Sequence, residues 1–222
     1  MGPGEIYTIF ELDGRDCAAL YTLRPDMLKM GIPPHWAAYV SVANADEAAE
    51  KAKQLGGVVM MEPLDVMEHG RMAVLQDPIG AVLSVWQAKQ HAGVGVLGEP
   101  GSLAWTQLNA TKPGSAKAFY TRLFGWDSQD TPMQGGGGDY PMFMQGGRPI
   151  GGIMPMPADV PKGAPSHWLS YFAPSDVDAT STKTASLGGR ALVPPTDIPG
   201  MGRFAVLQDP WGAVFAIVRF TP

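Results

Sequence analysis

The chain repeats itself. Residues 35–86 align with residues 167–218 at a constant offset of 132, without a gap, with 21 identities in 52 positions. The densest stretch sets GRMAVLQDPIGAV (Gly70–Val82) against GRFAVLQDPWGAV (Gly202–Val214), and HWAAY at His35 matches HWLSY at His167. Further upstream, Tyr7–Arg15 matches Tyr140–Arg148 at an offset of 133, a difference of one loop residue. Solenoid units run ~20–50 residues, so a period this long marks duplicated domains. The sequence therefore divides into a first domain at 1–90, a linker at 91–102 and a second domain at 103–222.

The two copies are unequal. Leu103–Asp127 opens the second copy and has no counterpart in the first, because Met1–Tyr7 aligns with Met133–Tyr140 in mid-domain. A mis-assigned start, a longer parent chain and a naturally short protein each account for this. A domain lacking a strand and a helix exposes a sheet edge and an apolar face. The expectation is that residues upstream, or self-association through the first domain, cover them.

Composition narrows the function classes. Hydrophobic residues make up 45% of the chain, enough to build cores and to exclude wholesale disorder. The net charge of −5, with no basic cluster, argues against nucleic acid as the main partner. A single cysteine, Cys17, excludes an intrachain disulfide and a cysteine-rich zinc site. No apolar run approaches the ~18–20 residues of a membrane span, and the N-terminus has neither a basic n-region nor a long apolar h-region. The sequence thus points to a cytoplasmic protein with no membrane partner.

Periodicity places the elements. Ala104–Asn109 alternates as a strand, and Lys112–Phe124 reads as a helix with Pro113 in its first turn and Gly125 as its stop. One face of that helix carries Ala116, Phe119, Tyr120 and Leu123. Strands are expected at 140–145, 150–156, 167–172, 190–193, 203–207 and 213–219, with a polar loop at 162–166 and a flexible glycine run at 135–138. A second helix spans 176–187, capped by Ser175 or Asp176 and ended by Gly188–Gly189; its first-copy counterpart spans 46–55.

Three segments carry a family resemblance: AKAFYTRLFGW (Ala116–Trp126), DVDATSTKTASLGG (Asp176–Gly189) and QDPWGAV (Gln208–Val214). In this order and spacing they resemble the vicinal oxygen chelate superfamily of glyoxalase I, extradiol dioxygenases and the fosfomycin- and bleomycin-resistance proteins. Pro194–Pro210 is similar to the tandem bacterial glyoxalase-like proteins of that superfamily. The resemblance implies an α+β fold of tandem βαβββ modules, with cup-shaped mixed sheets and helices on the outer face. The two domains would be alike, the first lacking its initial strand and helix. It also implies metal ligands at three positions of the complete copy, occupied here by Trp105, Leu169 and Ala216. In the first copy the last two of these are Ala37 and Ser84. None is an ordinary ligand for a divalent cation. The expectation is accordingly no metal and no cofactor.

Strand alternation groups Trp105, Gln107 and Asn109 on one face, with His167, Leu169 and Tyr171, and with Ala216 beside Val214 and Val218. Such a mostly apolar cup with a few amide, phenol and imidazole groups suits a small organic molecule. It also suits a cup filled by its own side chains. His167 and its equivalent His35 can serve as general acids or bases, or can hydrogen-bond a loop at a strand entrance. Arg71 and Arg203 can clamp an anion, or brace the sheet through Asp77 and Asp209 or through carbonyls; Asp65 and Asp197 read as turn formers or caps, and Asp77 and Asp209 as turn residues of the Asp-Pro-x-Gly segments. Methionines 133, 142, 144, 154 and 156 would form an adaptable wall. Three functions stay open: a metal-independent binding module of the bleomycin-resistance type, a metal-dependent glyoxalase- or dioxygenase-type enzyme, and a scaffold with filled cups.

Overall fold

A computed structural model describes residues 7–133, 138–158, 160 and 163–221. It is α+β and strand-rich, with fourteen strands and four helices among the described residues. Most of the expected Gly135–Gly138 run, and Lys162 of the expected loop, lie outside the described residues. The chain forms two compact units that cut across both sequence copies. Residues 37–93 and 106–169 make one, here called the central unit. Residues 1–36, 94–105 and 170–222 make the other, the outer unit.

The central unit holds two four-stranded arrays. The first contains β3 (Tyr39–Ser41), β4 (Val58–Val66), β5 (Gly70–Gln76) and β6 (Val82–Ala88) in the order β3-β6-β5-β4. The second contains β7 (Leu103–Ala110), β8 (Asp127–Pro132), β9 (Asp139–Gln145) and β10 (Arg148–Pro155) in the order β7-β10-β9-β8. The pairs β3–β6 and β7–β10 are parallel, while the hairpin neighbours are antiparallel. Helix α2 (Ala45–Gln54) is N-capped by the Asn44 side chain, which accepts from the amides of Asp46 and Glu47. Helix α3 (Pro113–Phe124) begins on proline and stops at Gly125, whose φ of 71° is in the left-handed region. Between these helices and the sheets lies one core. Ala45, Ala48, Ala49 and Ala52 of α2 and Ala116, Phe119, Tyr120 and Leu123 of α3 join Leu75, Val85, Leu108, Phe143 and Ile153 there. The face of α3 read from the sequence is the buried face.

The outer unit holds the hairpin β1 (Tyr7–Leu12) and β2 (Arg15–Tyr21), the short helix α1 (Pro25–Lys29), and a ladder of the end of β11 (His167–Phe172) from Ser170 onward, β12 (Arg190–Ile198), β13 (Gly202–Gln208) and β14 (Val214–Phe220). Strands β12, β13 and β14 pair antiparallel, and Tyr171–Phe172 of β11 pairs parallel with Ala216–Ile217 of β14. Helix α4 (Val177–Ser186) is capped by Asp176, which accepts from the Ala179 amide. Its small core consists of Val177, Ala205, Leu207 and Ile217 with Phe172 and Phe215, and Trp36 packs edge-on against both phenylalanines.

Two strands departed from expectation. Asp127–Pro132 is a strand, although its sequence DSQDTP is polar and ends in proline. It lies at the end of its array, where one face and one edge meet solvent and apolar alternation is not required. Strand β12 continues through Pro194 and Pro195 to Ile198. It too is terminal in its array, and its register shifts around both prolines, which tolerates the missing amide donors.

Candidate functional site

The pleat of β7 turns Leu108 and Ala110 into the core and leaves Gln107 and Asn109 together on the opposite face. Both amides are buried, at 7% and 3% exposure. They form the middle of a polar string in the central unit. Tyr140 Oη donates to Gln107 Oε1 at 3.1 Å, Gln107 Nε2 donates to Asn109 Oδ1 at 2.9 Å, and Asn109 Nδ2 lies 3.1 Å from His167 Nε2. At the far end, His167 Nδ1 lies 3.0 Å from the Pro165 carbonyl. A carbonyl only accepts, so Nδ1 carries the proton and Nε2 is the acceptor for Asn109. The Pro165 carbonyl thereby fixes both the imidazole tautomer and the direction of every bond in the string. Each amide has one N–H and one lone pair beyond those used in the string.

Gly152 makes this string geometrically feasible. It pairs with Gln107 across the β7–β10 ladder, and a Cβ at this position would overlap the Tyr140 hydroxyl and ring. The missing side chain is the space through which Tyr140 reaches Gln107. Sequence reading brought together Gln107, Asn109 and His167 and omitted Tyr140. The signal was the Gly151–Gly152 pair inside a strand, which marks a close approach.

The remaining expected residues are distributed between the units. Leu169, 6% exposed, follows His167 on the central unit's part of β11. Trp105, Tyr171 and Ala216 belong to the outer unit. There Tyr171 stands opposite Ala216 in the ladder, Ala216 is fully buried, and Trp105 packs edge-on to Phe220 with ring centroids 6.5 Å apart. Two surface clefts of about 360 and 380 Å³ also lie in the outer unit, and neither is lined by an expected site residue.

The side chains at the metal positions implied by the resemblance are an indole, an isobutyl group and a methyl group, none of which donates to a divalent cation. Among the described residues no group of three or more His, Cys, Asp or Glu side chains is placed to hold a metal ion. The donor set does not fit a resident metal at those positions.

His35 and His167 share one device. Each ring nitrogen Nδ1 meets the carbonyl of the proline two residues earlier, at 2.8 Å for Pro33 and 3.0 Å for Pro165. Arg71 and Arg203 brace the sheet, but not through Asp77 and Asp209. Arg71 chelates Asp46 through Nε and Nη2 and reaches Asp65, and Arg203 chelates Asp178 and reaches Asp197. Both guanidiniums are held more firmly protonated by these carboxylates, and the Asp46 and Asp178 carboxyls are pulled below the usual range by them. Asp65 and Asp197 are strand residues rather than turn formers, because β4 and β12 extend past them to receive the arginines.

Asp77 has a different use. Its Oδ1 accepts from the amides of Ile79 and Ala81, closing the Asp-Pro-x-Gly turn. Its Oδ2 accepts from Tyr120 Oη at 2.9 Å, and that hydroxyl accepts in turn from Trp168 Nε1 at 3.1 Å. Burial pushes the Asp77 carboxyl above its ordinary value, against the pull of these donors. Burial first, and then the Asp77 charge, push the Tyr120 phenol well above its own. The Asp-Pro-x-Gly, Phe-Tyr and His-Trp segments therefore meet at one buried point of the central unit.

The strand-rich α+β arrangement of strand–helix–strand modules is that of a glyoxalase-like fold. The profile of the Glyoxalase/Bleomycin resistance protein/Dioxygenase superfamily matches residues 102–217. The chain belongs to that superfamily. It is 39% identical to "Putative glyoxylase CFP32" of Mycobacterium tuberculosis (strain CDC 1551 / Oshkosh), an alignment covering 100% of this chain and 83% of that protein. It is 35% identical to "Anthracycline biosynthesis protein DnrV" of Streptomyces peucetius, over 96% of this chain and 79% of the other. Among solved structures, the Mn(II)-bound glyoxalase of Novosphingobium aromaticivorans superposes with a TM-score of 0.57 at 16% identity, over 81% of this chain and 61% of that one. The 2,2',3-trihydroxybiphenyl 1,2-dioxygenase of Sphingomonas wittichii strain RW1 gives 0.57 at 14% identity, over 98% and 83%. At these identities the structural likeness concerns the fold. No helix among the described residues is long and apolar enough to cross a membrane.

Proposed function

We propose that this chain is a metal-independent binder of a small, oxygen-bearing organic molecule, held over the Tyr140–Gln107–Asn109–His167 string of the second sequence copy. The observation that carries this reading is the string itself. Two buried amides are oriented by a phenol and an imidazole, and each keeps one N–H available for a carbonyl or phenolic oxygen. A filled cup has no need of this polarity, since apolar side chains would close it without the desolvation of two amides. Metal independence is supported by Trp105, Leu169 and Ala216 at the family's ligand positions. The setting fits the cytoplasm, where the lone Cys17 stays a thiol.

Two measurements test the reading. Native mass spectrometry of protein purified from its own cells should show a retained organic mass that Asn109→Leu loses. Calorimetric titration with Mn²⁺ and Zn²⁺ should show no stoichiometric binding. One tightly held metal per chain overturns the metal-independent reading, and identical spectra for the wild type and Asn109→Leu overturn the binding site.

A further inference from the structure

The Tyr140, Gln107 and Asn109 members of the string in the central unit can be bonded in either direction. An amide presents oxygen and nitrogen in nearly the same shape, and a half-turn about its last torsion exchanges acceptor for donor. A phenol hydroxyl both donates and accepts. The direction is therefore chosen at the His167 end. There the Pro165 carbonyl, 3.0 Å away, holds the proton on Nδ1 and leaves Nε2 a lone pair for Asn109 Nδ2 at 3.1 Å.

The surroundings leave that choice to the imidazole. Strand β7 contributes the two amides, β9 the Tyr140 phenol, and the stretch before β11 the Pro165 carbonyl. On β10, Gly152 stands opposite Gln107 and Met154 opposite Asn109, the first without a side chain and the second with a thioether. Among the described residues no carboxylate, ammonium or guanidinium bonds to His167, and Tyr140 is the other titratable member of the string.

An imidazolium carries a proton on both nitrogens. Its bond to Pro165 survives protonation, but Nε2–H then faces Asn109 Nδ2–H, donor against donor. Asn109 is 3% exposed, so water is a poor substitute, and a buried donor left unmet is costly. A half-turn of both amides removes the conflict without losing a bond. His167 Nε2 then donates to Asn109 Oδ1, Asn109 Nδ2 to Gln107 Oε1, and Gln107 Nε2 to Tyr140 Oη, whose own proton turns away.

We propose that protonation of His167 reverses the whole string, so that a proton taken up on β11 is read at Tyr140 on β9. At both amides the N–H and the lone pair outside the string trade places. Resting on the binding site proposed above, the reversal makes that site pH-sensitive: an oxygen that accepts from these N–H groups at neutral pH meets lone pairs in acid and is released.

Nitrogen-15 NMR of the full chain tests the reversal with no ligand added. Imidazole gains its proton between about pH 5 and 8, so side-chain spectra are followed over that range, with the backbone spectrum reporting the fold. At pH 8 His167 should be protonated on Nδ1, and the Asn109 amide protons should show a nuclear Overhauser contact to its ring. Toward pH 5 that contact should fade, and one from the Gln107 amide protons to the Tyr140 ring should grow with the same midpoint. In Asn109→Leu, His167 should still titrate while the Gln107 amide stays unmoved. A Gln107 amide that keeps its contacts through the His167 transition in the wild type, or a proton on Nε2 at pH 8, overturns the reversal. By native mass spectrometry, the organic mass retained at pH 8 should fall at least tenfold at pH 5. Equal retention with a reversed string overturns the release alone, and no retained mass at either pH counts against the binding site while the NMR still decides the reversal.

Discussion

Replacing Tyr120 by Phe removes one oxygen from a fully buried side chain and undoes two hydrogen bonds at once. The bond to Asp77 Oδ2 is made to a carboxylate that is 3% exposed, and a bond to a charged group contributes ~1.5–3 kcal/mol. Trp168 Nε1 also loses its acceptor, but Trp168 is half-buried and water replaces part of that loss. The sum is a destabilisation of about 2–4 kcal/mol, or roughly 4–16 °C at the ~2–4 °C per kcal/mol of a chain this size. The effect should depend on pH. Burial holds the folded Asp77 carboxyl above its ordinary value, so the folded state binds its proton more tightly than the unfolded state does. The Asp77 contribution to stability is therefore fully present below the unfolded value and is lost as pH rises through the folded one. The Tyr120 hydroxyl acts against that loss by stabilising the ionised form. Tyr120→Phe should consequently cost most near pH 7 and progressively less as Asp77 takes up its proton on acidification. Urea unfolding of wild type and variant at pH 7 and at pH 4.5, followed by tryptophan fluorescence, measures both. A loss below ~1 kcal/mol at pH 7, or a loss that grows on acidification, refutes the claim that this hydroxyl serves a buried carboxylate.

Three further outcomes follow from the geometry. Gly152→Ala should expel Tyr140 from its place beside Gln107, at an overpacking cost of ~1–3 kcal/mol, and should weaken retention of the bound compound; an unmoved Tyr140 ring in the variant's structure would count against this. Asn109→Leu should strand Gln107 Nε2 and His167 Nε2 and lower stability by ~2–4 kcal/mol, whereas the double change Gln107→Leu/Asn109→Leu should recover part of it; thermal melts of the set decide. Elemental analysis of dialysed protein should find Zn, Mn, Fe and Ni below one per chain, and a stoichiometric metal would place ligands outside the residues at the family positions.

The fold was legible where a pattern had one physical solution. The 3.6-residue spacing of Ala116, Phe119, Tyr120 and Leu123, bounded by Pro113 and Gly125, admits little besides a buried helix. Edge strands β8 and β12 were hidden or cut short, because proline and polar residues signal loops unless pairing on one side alone suffices. Within the site, alternation brought Gln107, Asn109 and His167 together, while the Gly151–Gly152 pair marked a close approach to β10 without showing that Tyr140 is the residue that approaches. The sequence left the arginines as anion clamps or as braces through Asp77 and Asp209, and the structure makes them braces with other partners. Asp46 and Asp178 lie 25 residues from Arg71 and Arg203, and separation in sequence carries no sign of which carboxylate will arrive. The role of Asp77 was visible in part, since its Oδ1 closes a turn as any Asp-Pro-x-Gly sequence suggests, while its second oxygen answers to a helix of the other copy.

The two compact units divide the chain in a way that matters during synthesis. The central unit is complete once Leu169 has been made, whereas the outer unit needs residues 1–36, then 94–105, and then everything from Ser170 onward. The hairpin of β1 and β2 is thus made long before the last part of its own unit. At ~5–20 residues per second, this hairpin precedes Ser170 by on the order of ten seconds, and the outer unit cannot close before then. Slower elongation lengthens that wait while leaving the central unit free to close first. Expression temperature and codon choice before residue 170 should therefore govern how much of this protein is recovered soluble, without any change in its sequence.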